Sequence, residues 1–280
     1  MTKALTWAGR IALHGFLWVA TAFAVIPMLW IVVASLQPDD RLFQYPPQWI
    51  PQSLYLENFI NVWTRTNLRF QMANSAVLAI TTAILVSFIG SLAAYTFARY
   101  RFRLHDALLY SVLATQMIPG LTNIIPLYIF MQNAGLIDTR WALMITYTAI
   151  NLPLGIWLLL GFFQSIPVEV EEAALIDGCT PLGTFLRIAL PLVLPGLAAV
   201  SILTFVVAWN EFVIALTFIS TSTLKTYQLG LYEFLTTDAT VFSRYGNLHA
   251  AAVLGLIPTL VGYLFVQRYF ITGITRGAIK

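Results

Sequence analysis

The stretch "EEAALIDGCTPLGTFLRIALP", residues 171 to 191, differs most from the rest of the chain. With the two residues before it, it holds four of the twelve carboxylates within nine positions: Glu169, Glu171, Glu172 and Asp177. Only 10% of the 280 residues are charged. Acids gathered in this way mark an exposed segment inside an otherwise apolar chain.

Helix signals inside this segment predict two short helices joined by a sharp turn. Pro167 suits a first helical residue, and Gly178 is placed to end that helix in a left-handed conformation. Thr180 and Pro181 then provide an N-cap and a new first residue. A solvated acidic loop is the alternative, but the first helix is mostly apolar between its acids. We therefore predict an apolar knob rimmed by carboxylates, suited to docking into a basic, grooved partner.

Composition places the chain among membrane proteins. Hydrophobic residues make up 59% and the mean hydropathy is +0.79, whereas soluble domains carry about 25% charged residues. The excess of fifteen bases over twelve acids is small and dispersed, which argues against nucleic acid binding. The single Cys179 and three scattered histidines indicate neither a disulfide nor a metal site.

Six segments are long and apolar enough to cross the bilayer, which takes about 17–25 helical residues. They cover residues 11 to 36, 73 to 98, 107 to 131, 141 to 163, 188 to 208 and 247 to 267. The first also resembles a cleaved secretory signal, but its apolar run continues well past a signal core of about 7–15 residues. We predict an all-α membrane protein with one domain, residues 1 to 280, and a knob between the fourth and fifth spans.

The distribution of basic residues predicts the orientation. Nine bases fall on the face that holds both termini and the loop 164 to 187, against six on the other face, which has longer loops. Three of the nine, Arg99, Arg101 and Arg103, lie in one short turn between the second and third spans. By the positive-inside rule, both termini and the knob face the cytoplasm.

The knob also carries a motif of fixed spacing: E-A-A, three residues, G, nine residues, I-x-L-P. This pattern resembles the signature of binding-protein-dependent ABC importer permeases. The segment "AWNEF", residues 208 to 212, and the ending "QRYFITGITRGAIK" are similar to the maltose-type carbohydrate permeases, especially the smaller second permease of those heterodimers. The resemblance covers nearly the whole chain, although the tail lacks the final glycine that the family often has.

The resemblance implies that the knob is a pair of coupling helices that docks into a cleft of a separate ATPase, with Glu172 as the ionic contact. The tail is expected to touch the same ATPase. No G-x-x-x-x-G-K-[ST] motif occurs, so we expect no cofactor in this chain and expect ATP and Mg to bind the ATPase subunit. The predicted coupling residues are Glu171, Glu172, Ala173, Ala174, Asp177, Gly178, Leu190 and Pro191.

Polar residues and prolines within the spans indicate a solute pathway. Neutral amides beside aromatic rings suit a sugar, whose hydroxyls need donors and acceptors and whose C–H face stacks on rings. Hydrogen bonding between helices is an equally good explanation. The candidate pathway residues are Gln116, Asn123, Tyr128, Tyr147, Asn151, Trp209, Asn210 and Glu211. The second span instead carries a ridge of small residues that predicts tight helix packing.

We therefore expect a permease subunit, not an enzyme, of an ATP-driven importer for a di- or oligosaccharide in the inner membrane of a prokaryote. The expected partners are ATPase subunits, as two copies or a dimer, a second permease, which in the resembling subfamily is generally a different one, an extracytoplasmic binding protein or lipoprotein, and membrane lipid. Glycerol phosphate or another polar solute stays an alternative. A different class, an ion-coupled secondary transporter, would use an ionisable group in the membrane, for which Glu211 is the candidate.

Overall fold

The computed structural model describes residues 7–46, 48–51, 53–236 and 244–277, and every regular element in this part of the chain is helical. Two compact units divide the chain. The first takes the described parts of residues 1–68 and 231–256, and the second those of residues 69–230 and 257–280.

The first unit is built around the long helix α1 (Trp7–Ser35), the short α2 (Asp39–Leu42) and α3 (Glu57–Arg65). Asn58 in α3 donates from Nδ2 to the carbonyls of Ser35 (3.0 Å) and Gln37 (2.8 Å), which satisfies acceptors at the end of α1. The carboxylate of Asp39 accepts the N–H of Gly246 at 2.6 Å, near the start of the last helix. Polar side chains thus organise the helix ends of this unit.

The second unit contains most of the helices. In chain order they are α4 (Leu68–Arg99), α5 (His105–Ala114), α6 (Ile124–Asn133), α7 (Arg140–Gln164), α8 (Val168–Ile176), α9 (Pro181–Thr184), α10 (Leu190–Leu192), α11 (Leu194–Trp209), α12 (Val213–Phe218), α13 (Tyr227–Thr236) and α14 (Arg244–Gly277). Both α13 and α14 continue from one unit into the other.

The described residues contain four helices that are long and apolar enough to cross a membrane, or up to six spans if each bent helix pair counts as one. Four are long enough alone: Gly9–Ser35, Leu68–Arg99, Arg140–Gln164 and Tyr245–Leu264. The third and fifth predicted spans are bent pairs instead: His105–Met117 with Gly120–Asn133 at 98°, and Pro181–Leu192 with Leu194–Trp209 at 75°. The first bend follows from Pro119, because the residue before a proline avoids the helical region, and Ile118 is extended.

The core of the second unit lies where α4, α7 and α11 pack together. Val86, Leu159 and Val200 are almost fully buried there. A Cβ on Gly155 would lie 2.7 Å from Val86 Cγ1, so only glycine permits this approach of α7 to α4. Most of the small residues of the α4 ridge are buried, in agreement with the predicted tight packing, and Ala98 is half-buried; the buried ones are Ala83, Ser87, Gly90, Ser91 and Ala94.

Candidate functional site

The loop between α7 and α11 forms the predicted helix pair. Helix α8 ends in a Schellman motif, in which the N–H of Gly178 donates to the carbonyl of Leu175 (3.1 Å) and that of Cys179 to the carbonyl of Ala174 (3.0 Å). Gly178 has a φ of +90°, as this motif requires. Pro167 is the residue before the helix, one position earlier than predicted. The sharp turn after α8 is confirmed.

The second helix starts at once. Thr180 accepts the N–H of Gly183 on its side-chain oxygen at 3.1 Å, and Pro181 is the first helical residue, as predicted. The chain then passes through a π-helical stretch, Phe185–Ala189, before α10 and α11. Such π segments occur often at functional positions.

The helix pair exposes both apolar and acidic side chains. Ile176 is 86% exposed and Leu182 is 62% exposed, and Glu172 and Asp177 are also exposed. We call these four residues the docking face. Apolar side chains presented to solvent beside carboxylates are typical of a surface that a partner covers.

A buried ion pair anchors the helix pair to α4. Arg99 Nη2 lies 2.7 Å from Glu171 Oε1, and the two side chains are 9% and 6% exposed. Arg99 also donates to the carbonyl of Ile166 at 3.0 Å, and the Tyr95 hydroxyl donates to Glu171 Oε2 at 2.8 Å. We call Tyr95, Arg99 and Glu171 the root cluster.

The predicted coupling residues therefore differ in their exposure. Glu172, Ala173, Asp177, Gly178 and Pro191 are exposed, Leu190 is half-buried, and Glu171 and Ala174 are buried. Sequence reasoning placed Glu171 beside Glu172 in one acidic group, whereas the structure turns it inward. Tyr95 and Arg99 were missed as members of this site. The signal was an arginine in the last turn of α4, one turn after a tyrosine.

The predicted pathway residues differ in exposure, and the structure brings Tyr147, Asn151 and Glu211 together through hydrogen bonds. Gln116 and Asn210 are exposed, Asn123, Tyr128, Asn151 and Glu211 are half-buried, and Tyr147 and Trp209 are buried. Gln116 lies at the bend between α5 and α6 and donates to the carbonyl of Ile150 at 3.2 Å. The Trp209 ring stacks against Phe205 and Tyr227, so it packs within the chain.

Glu211 shapes the turn between α11 and α12. Its carboxylate accepts the N–H groups of Ile214 (2.8 Å) and Ala215 (3.1 Å) and the Tyr147 hydroxyl (2.7 Å). These donors lie in the first turn of α12 and in α7. Free N–H groups at a helix start carry partial positive charge, and this stabilises the carboxylate.

Comparison with known proteins gives the family. Residues 86–276 match the family described as the binding-protein-dependent transport system inner membrane component. The chain belongs to this family. It is a multi-pass membrane protein and the permease part of a transport system that works with a binding protein.

Individual relatives cover almost the whole chain. It is similar to the diacetylchitobiose uptake system permease protein of Streptomyces coelicolor, with 32% identity over 95% of this chain and 88% of that protein. It is also similar to the trehalose/maltose transport system permease protein of Thermococcus litoralis, with 32% identity over 91% of each chain. A bacterial ABC transporter for the import of the acidic polysaccharide alginate shares its fold, with a TM-score of 0.85 and 21% identity over 96% of this chain and 100% of that one.

Proposed function

We propose that this chain is one permease subunit of an ATP-driven importer for a di- or oligosaccharide. The docking face carries the proposal, because it offers exposed apolar residues and carboxylates on a rigid helix pair. The relatives named for diacetylchitobiose and for trehalose and maltose support a carbohydrate as the solute.

The docking face suits a basic groove on an ATPase subunit. Glu172 is exposed within the chain, whereas the neighbouring Glu171 is buried, so Glu172 is available to a cation on a partner. Ile176 and Leu182 add apolar area that a groove would remove from water. A charge-assisted pair beside packed side chains transmits a rigid-body movement better than either contact alone. ATP and Mg would bind that partner.

The solute pathway would run past the bent span formed by α5 and α6. Non-helical backbone within the membrane is tolerated where it lines a cavity or is covered by protein. The bend at Pro119 exposes such backbone next to Gln116 and Asn123, two uncharged side chains that can bond sugar hydroxyls. A second, different permease would complete the cavity, and an extracytoplasmic binding protein would deliver the solute.

Transport would follow alternating access. ATP binding would close the ATPase pair and draw the docking faces of the two permeases together, opening the cavity toward the binding protein. This assignment requires the helix pair and both termini to face the cytoplasm. A contact of the C-terminal tail with the ATPase is a further expectation, but the side chains of residues 265–277 and the whole of residues 278–280 lie outside the described residues.

Ion-coupled transport through Glu211 receives no support from its surroundings. Two backbone N–H groups and the Tyr147 hydroxyl already donate hydrogen bonds to this carboxylate. A coupling site must release and rebind its cation in each cycle, and breaking three hydrogen bonds each time opposes this. We therefore propose a structural role for Glu211.

Affinity purification of the tagged chain from its native membrane, in mild detergent, tests the proposal. We expect an ATPase, a second permease and a binding protein to accompany the wild type. Glu172→Arg should lose the ATPase, because it places a cation against a basic groove, while Glu57→Arg, another exposed carboxylate outside the helix pair, should retain it. Uptake of a labelled disaccharide should fall with Glu172→Arg alone. Recovery of the ATPase at the wild-type level with Glu172→Arg would refute the docking assignment.

A further inference from the structure

Helix α4 is attached to the helix pair by side chains and not by the course of the chain. The helix pair continues directly from α7 and leads directly into α11. The ion pair between Arg99 and Glu171 joins residues 72 positions apart. It therefore connects a third membrane helix to the segment that we propose as the ATPase contact.

The contacts between α4 and the helix pair fix both distance and angle. Arg99 Nε and Nη2 both reach Glu171 Oε1, at 2.9 and 2.7 Å, and Nη2 also reaches the Ile166 carbonyl before α8. One planar guanidinium thus holds a side chain and a backbone group at once, which restricts rotation about the contact.

Tyr95 adds a second attachment one turn earlier in α4. Its ring packs against Phe163 at the end of α7 and Phe185 in the π-helical stretch, with ring centroids 5.5 and 4.9 Å apart. Its hydroxyl donates to the free side of the Glu171 carboxylate. Helix α8 and the π-helical stretch after α9 are thereby both held against the last two turns of α4.

Stability alone does not account for an ion pair at this place. Removing two charges from water costs free energy, and replacing a buried pair by apolar residues is often neutral for folding. Hydrogen bonds of fixed length and direction also fix the relative position of two helices. Helices that meet through apolar surfaces alone can slide over each other, whereas helices joined by such bonds cannot. Such bonds suit a contact through which the movement of one helix displaces another.

We infer that the root cluster is a positioning clamp that makes α4 move with the helix pair, so that movement at the ATPase contact reaches the second span. Arg99, Glu171 and Tyr95 act through the position of α4 and touch neither ATP nor solute. This inference rests on the proposed function, since it requires that the ATPase moves the helix pair through the docking face. Helices α7 and α11 would receive the same movement through the chain itself.

The double variant Arg99→Met with Glu171→Met separates coupling from folding. It removes both charges together and fills the space with flexible apolar side chains, so no buried charge is left unpaired. In the complete complex reconstituted into liposomes, we expect normal assembly and continued ATP hydrolysis. Solute taken up per ATP hydrolysed should fall by at least about fivefold, the lower end of usual coupling between sites. An unchanged ratio would overturn the inference.

A second variant tests the clamp even if the double variant does not assemble. Tyr95→Phe keeps the ring packing and deletes only the hydroxyl that donates to Glu171. We expect uptake per ATP to fall by about twofold or more, since the lost hydrogen bond has a charged acceptor. A ratio equal to that of the wild type would count against the clamp. Tyr110→Phe, an exposed tyrosine in α5, is the matched control and should leave the ratio unchanged.

The two proposals fail in different ways. If the docking assignment is wrong, the ATPase does not depend on Glu172 for binding. If only the clamp is wrong, the ATPase still depends on Glu172, and both clamp variants transport with the wild-type ratio of solute to ATP.

Discussion

Two regions of the second unit stabilise carboxylates by opposite means. At the root of the helix pair, Glu171 is paired with the guanidinium of Arg99 from another helix. Around the 209 to 221 segment, Glu211 within it and Asp138 from the loop between α6 and α7 accept hydrogen bonds chiefly from backbone N–H groups and from hydroxyls. Tyrosine hydroxyls donate to both glutamates, Tyr95 to Glu171 and Tyr147 to Glu211, so the difference between the two regions is the arginine that pairs with Glu171.

The difference separates two uses of an acidic residue. A carboxylate paired with a distant arginine ties two helices together, and its loss leaves a buried charge of opposite sign. A carboxylate held by N–H groups fixes the turn around it, and its loss leaves unpaired but uncharged donors. The first region is suited to transmitting movement and the second to holding a shape.

Removal of Glu171 should have the largest effect on stability. Glu171→Ala leaves the Arg99 guanidinium buried without its counterion, which costs about 3–5 kcal/mol in comparable cases. We expect a strongly lowered thermal unfolding midpoint of the detergent-solubilised protein.

Glu172→Ala is the matched control, because it removes an exposed carboxylate one position along the same helix. Its effect on the free energy of unfolding should stay within about 0.5 kcal/mol. Equal midpoints for the two variants would show that the buried pair does not hold α8 against α4.

Removal of Glu211 should have an intermediate effect. Glu211→Ala deletes the acceptor for two N–H groups of α12 and leaves the buried Tyr147 hydroxyl without its partner. Loss of a cap and of one buried hydrogen bond together costs about 2 kcal/mol. The thermal unfolding midpoint measures this, with Glu211→Gln as the control that keeps an acceptor oxygen. A loss as large as that for Glu171→Ala would contradict the distinction between the two regions.

The sequence predicted the helices and the turn far better than the side-chain contacts between the helices. Apolar length defined the spans, and Gly178, Thr180 and Pro181 defined the helix pair, because these signals act within a few residues. The pairing of Arg99 with Glu171 and the capping of α12 by Glu211 depend on which helices pack together, which no local pattern specifies. Two adjacent glutamates therefore looked equivalent, although α8 turns one inward and the other outward.

The smallest effect is expected at Asp138, which lies between α6 and α7 and belongs to the region with backbone donors. The Thr221 hydroxyl, with the N–H groups of Thr221 and Ser220, lowers the pKa of Asp138 from its ordinary value of 3.8 to about 2. A lowered pKa means that the carboxylate stabilises the fold above its unfolded pKa and that this stabilisation is lost as the pH falls toward about 2.

Asp138→Asn is the suitable variant, because asparagine tolerates the positive φ of 60° found here. Near neutral pH it should lower the free energy of unfolding by less than about 1 kcal/mol, since the site is open to solvent screening. The difference in thermal midpoint between wild type and variant should shrink between about pH 4 and about pH 2. A difference that stays constant over that interval would mean that the charge of Asp138 does not hold the 218 to 221 turn.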